Sequence, residues 1–228
     1  MPDGQADLVG TGDISSTAQD HLKVIWSALE WQGSPTTIKG LADRFGTTAA
    51  AASATVKRLV GQGLLVHEPY GPILLTPAGE HLALMMVRRH RLIETFLVEH
   101  LGYSWDEVHD EAETLEHAAS DLMMERIDAL LGHPVVDPHG DPIPTRAGVV
   151  SYPAGARRLS EATPGEHRVT RIADDSSELL SRLDSTGVGR GAVVTVVAQD
   201  GAGTIVRIGD RELVLTPEAG RSIIVVDR

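Results

Sequence analysis

His109, Glu113, Glu116 and His117 stand at positions i, i+4, i+7 and i+8 of one stretch of chain. On an α-helix, at 100° per residue, the four project from a single face over two turns. Imidazole nitrogen beside carboxylate oxygen is a donor set suited to Mn, Fe, Co, Ni or Zn. Upstream, His90 and Glu94 repeat the i, i+4 spacing. Two such helices packed side by side would bring six ligand-type groups together. Residues 81–141 hold 13 of the 32 Asp and Glu and 7 of the 10 His, against 4 of the 20 Lys and Arg. So acidic a segment repels itself unless something positive sits within it. The competing reading is a solvated acidic face, in which i, i+4 pairs contribute only about 0.2–0.5 kcal/mol each. Two converging sets exceed what such decoration calls for.

Other chemistries find less support. Cysteine is absent, which excludes disulfides, thiolate zinc sites and thiol catalysis together. The Glu-x-x-His repeat of di-iron bundles is missing, as are His-Glu-x-x-His, a P-loop and a Gly-x-Ser-x-Gly elbow. A metal-dependent hydrolase with an incidental winged helix therefore stands as the alternative, and a sensor of an organic ligand as a third reading. The net charge of −12 argues against a generic nucleic-acid binder, because phosphate contacts need Lys and Arg. No run approaches ~18 apolar residues, so no membrane helix is expected. The opening Met-Pro-Asp-Gly-Gln-Ala-Asp lacks the basic-then-apolar order of a signal peptide, and the cytoplasm is the expected address.

The elements that must position the cluster follow from caps and periodicity. Residues 1–13 read as a disordered leader. Ser15, Ser16 or Thr17 caps a helix to about Trp31, with Ala18, Leu22, Ile25 and Leu29 on one stripe. Helices follow at about Ile38–Phe45 and Ala49–Val60, the last capped by Thr47 or Thr48. Leu64–Val66 and Ile73–Leu75 flank a Pro- and Gly-containing turn, which predicts a hairpin. Helix, helix, turn, helix, hairpin is the order of a winged helix-turn-helix. Thr76-Pro77 opens a long helix to about His100. Ser104 and Glu107 form a capping box for a helix to about Ala118, and Ser120 caps another to near Leu131. Apolar stripes on these helices (Leu84, Val87, Leu92, Phe96 and Leu122, Met123, Ile127, Leu130) exceed the needs of one small layer and predict a homodimer. Residues 133–165 are rich in proline and read as linker. Short β-rich runs at 167–173, 192–198, 204–208, 212–216 and 222–226, with a helix at about Ser177–Leu183, suggest a small barrel.

Within the helix-turn-helix, the third helix is rich in Ala and Thr and offers no Asn, Gln or Arg near its start for bidentate base reading. Thr48, Ala50, Ser53, Lys57 and Arg58 are the candidate contacts to double-stranded operator DNA. Small side chains permit close approach and contact with thymine methyls, while Thr48, Ser53, Lys57 and Arg58 suit phosphates or base edges.

Val108-His109-Asp110-Glu111-Ala112-Glu113-x-x-Glu116-His117-x-x-Ser120-Asp121 resembles the ligand helix of the diphtheria toxin repressor family of iron- and manganese-dependent regulators. Arg89-His90-Arg91-Leu92-x-Glu94 resembles the helix before it. The likeness extends over nearly the whole chain. It implies a mainly α protein with a β-rich C-terminal domain: winged helix-turn-helix at 14–77, helical metal-binding and dimerisation domain at 78–141, linker at 142–165 and SH3-like domain at 166–228. Residue by residue, it implies one metal set of Asp20, Glu113, Glu116 and His117. A second set comprises His90, Glu94 and His109, helped by Asp175 and Glu178; His90 can serve either. Iron-responsive members place a Met and a Cys where this chain has Asp20 and Glu113. Carboxylate in place of sulfur hardens the site and favours Mn2+, with Fe2+ as the alternative activator. The reading is a homodimeric, metal-activated repressor of metal-ion homeostasis genes, and not an enzyme.

Overall fold

A computed structural model describes residues 14–69, 71–105, 107–174 and 176–228. The expected leader at 1–13 lies outside the described residues. By internal contacts the chain divides into two compact units, residues 1–89 with 144–148 and residues 90–143 with 149–228.

The first unit is the helix-turn-helix and its hairpin. Helix α1 (Ser16–Gln32) starts where Ser15 accepts the Ala18 N–H and stops at Gly33, in the left-handed region. Helix α2 (Ile38–Arg44) is capped by Thr37, and α3 (Ala49–Gly61) by Thr48. Strands β1 (Leu65–His67) and β2 (Ile73–Leu75) pair antiparallel, Leu65 opposite Leu75. Leu22, Ile25, Leu41, Leu59 and Ile73 are completely buried, so the periodic apolar positions of three helices and one strand supply the core. Leu29, expected on that stripe, is 36% exposed. Helix α4 (Pro77–Phe96) begins here, with Thr76 Oγ1 accepting the Gly79 N–H and donating to the Gly63 carbonyl. A Cβ at Gly79 would sit 2.0 Å from the Leu64 carbonyl oxygen, so only glycine lets the helix start so close to the hairpin.

The second unit holds the helical ligand region and the β domain. From His90 onward α4 runs to Phe96 and closes in a π-helical turn, Leu97–Leu101, ended by left-handed Gly102. Helix α5 (Val108–Leu115) is shorter than expected at both ends. The Ser104 backbone carbonyl accepts the Val108 N–H, and no side chain caps the helix, so the Ser104–Glu107 capping box does not form. Glu116 is the C-cap, and His117 lies in the turn beyond it. Helix α6 (Asp121–Leu130) is capped by Ser120 as expected. Leu92, Ile93, Leu97, Val108, Ala112, Met124 and Ile127 form one apolar cluster beneath these helices, and Ile143 joins it.

The β domain is a six-stranded antiparallel sheet in the order β3-β8-β4-β5-β6-β7. Its strands are β3 (Arg157–Arg158), β4 (Gly165–Ile172), β5 (Val193–Asp200), β6 (Gly203–Ile208), β7 (Arg211–Leu215) and β8 (Ile223–Asp227). Helix α7 (Ser177–Thr186) links β4 to β5, and a short α8 (Pro217–Arg221) links β7 to β8. Val169, Ile172, Leu180, Val194, Val206 and Val225 are buried in its core, against which Trp105 packs. Part of the proline-rich stretch is buried as well: Asp137, His139, Asp141 and Ile143 are each at most 6% exposed. This segment is held against β4. Ile172 N–H donates to the His139 carbonyl, and a Cβ on Gly140 (φ +93°) would lie 1.9 Å from the Thr170 oxygen. Asp141 receives the Arg171 guanidinium, and Arg91 donates to the Pro142 carbonyl at 2.6 Å.

Candidate metal centre

α4 and α5 bring the expected ligand types of the second unit together. His90 and Glu94 lie one turn apart on α4, with relative exposures of 5% and 0%. His90 Nε2 is 3.0 Å from Glu94 Oε1 and 3.1 Å from His109 Nδ1. His109 Nδ1 is in turn 3.4 Å from Glu94 Oε1 and 3.4 Å from Asp174 Oδ2. Ligand atoms of His90, Glu94, His109 and Asp174 thus converge. The other ring nitrogen, His90 Nδ1, lies 2.6 Å from Glu116 Oε2, and Glu116 is also fully buried. His90, Glu113 and Glu116 form an overlapping cluster, with His109 Nε2 3.7 Å from Glu113 and His117 Nε2 3.8 Å from Glu116.

His90 therefore faces both sets, one nitrogen toward each. A carboxylate can only accept, so the His90 nitrogen facing each one carries the hydrogen in the metal-free site, Nδ1–H toward Glu116 and Nε2–H toward Glu94; a cation would take the place of the Nε2 hydrogen. Fixing a ligand histidine through its second nitrogen is the usual role of such a carboxylate.

The electrostatics show what this arrangement lacks. Burial alone would lower the His109 pKa, but hydrogen bonding and attraction from Asp174 and Glu94 outweigh it and hold the imidazolium up at about 10. Burial would raise Glu94, yet the charge of His90 and the close approach of both histidines bring it down to about 2. Asp174 is likewise held below the usual carboxylate range against its burial, chiefly by His109. Even so, neither oxygen of Glu94 has a hydrogen bond of acceptable geometry. Two imidazole nitrogens and an unsatisfied, fully buried carboxylate that converge on one point fit a divalent cation.

Asp20 sits half-buried on α1, in the first unit. Asp175 lies outside the described residues. Glu178 is exposed in the first turn of α7 and belongs to none of the clusters among the described residues. Asp174 was not singled out by the sequence, since a lone acid after a strand has no spacing to mark it. On α3, Thr48, Ala50, Ser53, Lys57 and Arg58 are all exposed, while Ala52, Val56 and Leu59 are buried beneath them. Thr48 Oγ1 also serves as the helix cap.

Family models match three successive stretches. They are the N-terminal DNA-binding domain of iron-dependent repressors at 13–73, their metal-binding and dimerisation domain at 76–145, and the FeoA domain at 157–227. The iron-dependent repressor IdeR of Mycobacterium leprae is 31% identical over 95% of this chain and 99% of its own length. The chain belongs to the iron-dependent repressor family. This member of the family is also 31% identical to the diphtheria toxin repressor of Corynebacterium diphtheriae, over 89% of this chain and 94% of that protein. A solved manganese-dependent transcriptional repressor in complex with manganese superposes with a TM-score of 0.87 at 46% identity, over 92% of this chain and all of that one. The resemblance read from the ligand helix is correct, as is the fold of a helical DNA-binding part and a β-rich C-terminal domain. The family is one of metal-dependent transcriptional repressors, and none of these likenesses points to a hydrolase. No helix among the described residues is long and apolar enough to cross a membrane.

Proposed function

We propose that the chain is a cytoplasmic, homodimeric repressor that responds to Mn2+, with Fe2+ as the rival activator, and silences metal-homeostasis genes without catalytic turnover. The observation that carries this reading is the convergence of His90 Nε2 and His109 Nδ1 on the buried carboxylate of Glu94, whose oxygens lack hydrogen bonds. The resemblance adds a further set, Asp20 with Glu113, Glu116 and His117, in which every donor is oxygen or nitrogen. That donor set supports Mn2+ over softer ions, as does the likeness to a manganese-dependent repressor.

In this reading a bound cation supplies positive charge to an acidic region. The residues do the rest. Glu116 orients His90 through Nδ1–H, and His109 gives up its proton to free Nδ1 as a ligand. Asp20, on the first helix of the DNA-binding unit, ties occupancy to the placement of α3. Two α3 helices of a dimer then read half-sites one duplex turn, about 34 Å, apart. Ala50 suits thymine methyls, and Thr48, Ser53, Lys57 and Arg58 suit phosphates or base edges. Metal and DNA binding coupled in this way typically reinforce each other by ~1–3 kcal/mol.

The test is fluorescence anisotropy on a palindromic operator from the promoter of its own or a neighbouring transporter gene. Chelator-stripped protein should bind only after Mn2+ or Fe2+ is added. Equal binding with and without chelator would sink the activation model.

A further inference from the structure

The proline-rich segment brings two more ligand-type side chains to Glu94. One atom each of Glu94, Asp137 and His139 lie within 4.8 Å of one another, and the three residues are at most 1% exposed. An ion with bonds of about 2.0–2.6 Å spans ligands up to about 5 Å apart. Each of the three presents a buried atom that makes no hydrogen bond. His139 Nε2 lies 2.6 Å from the Trp105 carbonyl, which can only accept, so Nε2 carries the hydrogen. In the neutral ring Nδ1 then bears a lone pair, and it has no hydrogen-bond partner. Asp137 uses Oδ1 to accept the Asp141 N–H at 2.8 Å, whereas its buried Oδ2 accepts no hydrogen bond and stands 3.6 Å from Arg91 Nε. Neither oxygen of Glu94 accepts a hydrogen bond, although Oε1 stands 3.0 Å from His90 Nε2 as a charged contact.

We propose that Glu94, Asp137 and His139 form an additional divalent-cation site, sharing the Glu94 carboxylate with the His90–His109 set. The proposal rests on the reading of that set as a metal site. One imidazole nitrogen and two carboxylate oxygens match the same borderline-hard class of ion, Mn2+, Fe2+ or Zn2+. Two carboxylates offset the double charge, and a carboxylate with an oxygen toward each of two ions is a common way to hold a pair. Glu94, Asp137 and Asp141 are each at most 1% exposed, a crowding of buried carboxylates that a cation relieves. The ligands are also held in place. Gly140 lies against the Thr170 carbonyl, the His139 carbonyl accepts from Ile172, and Asp141 is bound by Arg171.

The test is anomalous diffraction at the manganese edge on crystals of the full chain loaded with Mn2+ alone, with bound metal counted per protomer. One peak is expected among His90, Glu94, His109 and Asp174, and another among Glu94, Asp137 and His139. Asp137→Asn keeps the Oδ1 acceptor and should lower the count by one while the peak beside His109 persists; His139→Gln should do the same. A peak beside His109 with none beside His139 overturns the additional site alone. No peak at either place overturns the underlying reading as well. The wild-type map decides the question even if a variant fails to fold.

Discussion

Glu113 is the most exposed of the α4–α5 ligand-type side chains, at 38%, yet it reaches both the His90–Glu116 cluster and His109. In the proposed site its oxygen, and that of Asp20 on α1, would take the places that the resemblance gives to sulfur in iron-responsive members. Asp20→Met with Glu113→Cys should therefore shift activation toward Fe2+ and weaken Mn2+. The single changes should each do part of this, non-additively, if they share one ion. Anaerobic anisotropy titrations with both metals read the ranking, and an unchanged ranking in the double variant would remove these two residues from selectivity. His109 makes a second test. With its pKa raised to about 10, the metal-free ring carries a proton at neutral pH that a cation must displace. Mn2+ binding at pH 7 should release about one proton, and affinity should climb by up to about tenfold per pH unit until the ring's own pKa is passed. Without metal the sign reverses. The raised pKa stabilises the fold fully below the unfolded value of 6.5, and that contribution is lost as pH rises through about 10. Calorimetry in buffers of different ionisation enthalpy counts the protons; a pH-independent affinity would refute the exchange.

Gly140 shows what one backbone position does for an element. It has φ of +93°, and a Cβ would collide with the Thr170 carbonyl, so Gly140→Ala should lift residues 137–141 off β4. The expected cost is roughly 2–4 kcal/mol, combining a strained left-handed residue with a steric clash. Thermal unfolding of the metal-free protein measures it, and a melting temperature within a degree of wild type would contradict the geometry. That segment marks where the sequence stopped being legible. Helices α1, α3 and α6 were readable because Ser15, Thr48 and Ser120 cap them, and α2 because apolar residues recur at helical spacing; its Thr37 cap was not read from the sequence. Helix α5 was misjudged at both ends because its acidic residues continue past Leu115 without a breaker, and because Ser104 uses its carbonyl and not its hydroxyl. Thr216-Pro217 carries the signal that opened α4, but five residues of helix were too few to separate from the strand before them. Asp137, His139 and Asp141 looked like polar loop residues among prolines. Their partners, distant in sequence, show why they are buried: Arg91 and Arg171 for the two acids, and the Trp105 carbonyl for His139.

For the molecule as a whole, the apolar stripes divide in a way the sequence could not show. Leu84, Val87, Leu92 and Ile127 are buried within one protomer, while Leu122, Met123 and Leu130 of α6, with Leu101, remain 47–60% exposed. Large apolar side chains exposed in this way mark an interaction surface, and the matched metal-binding and dimerisation domain spans them. Leu122→Glu with Leu130→Glu should convert the proposed dimer to monomer in analytical ultracentrifugation with Mn2+ present. A variant that still sediments as a dimer would place the interface elsewhere. The candidate ligands were legible to the extent that helical spacing grouped them; Asp174 was not, because tertiary folding alone brings it to His109. The depth of the ligands has a consequence in time. Glu94 and Glu116 expose nothing to solvent and His90 only 5%, so an ion reaches them through transient openings of the fold. Stopped-flow loading should accordingly level off at the opening rate however much Mn2+ is supplied. Departure is slowed by the same bottleneck, and a chain that releases its ion slowly averages over brief dips in supply: it keeps a short memory of the metal it last met.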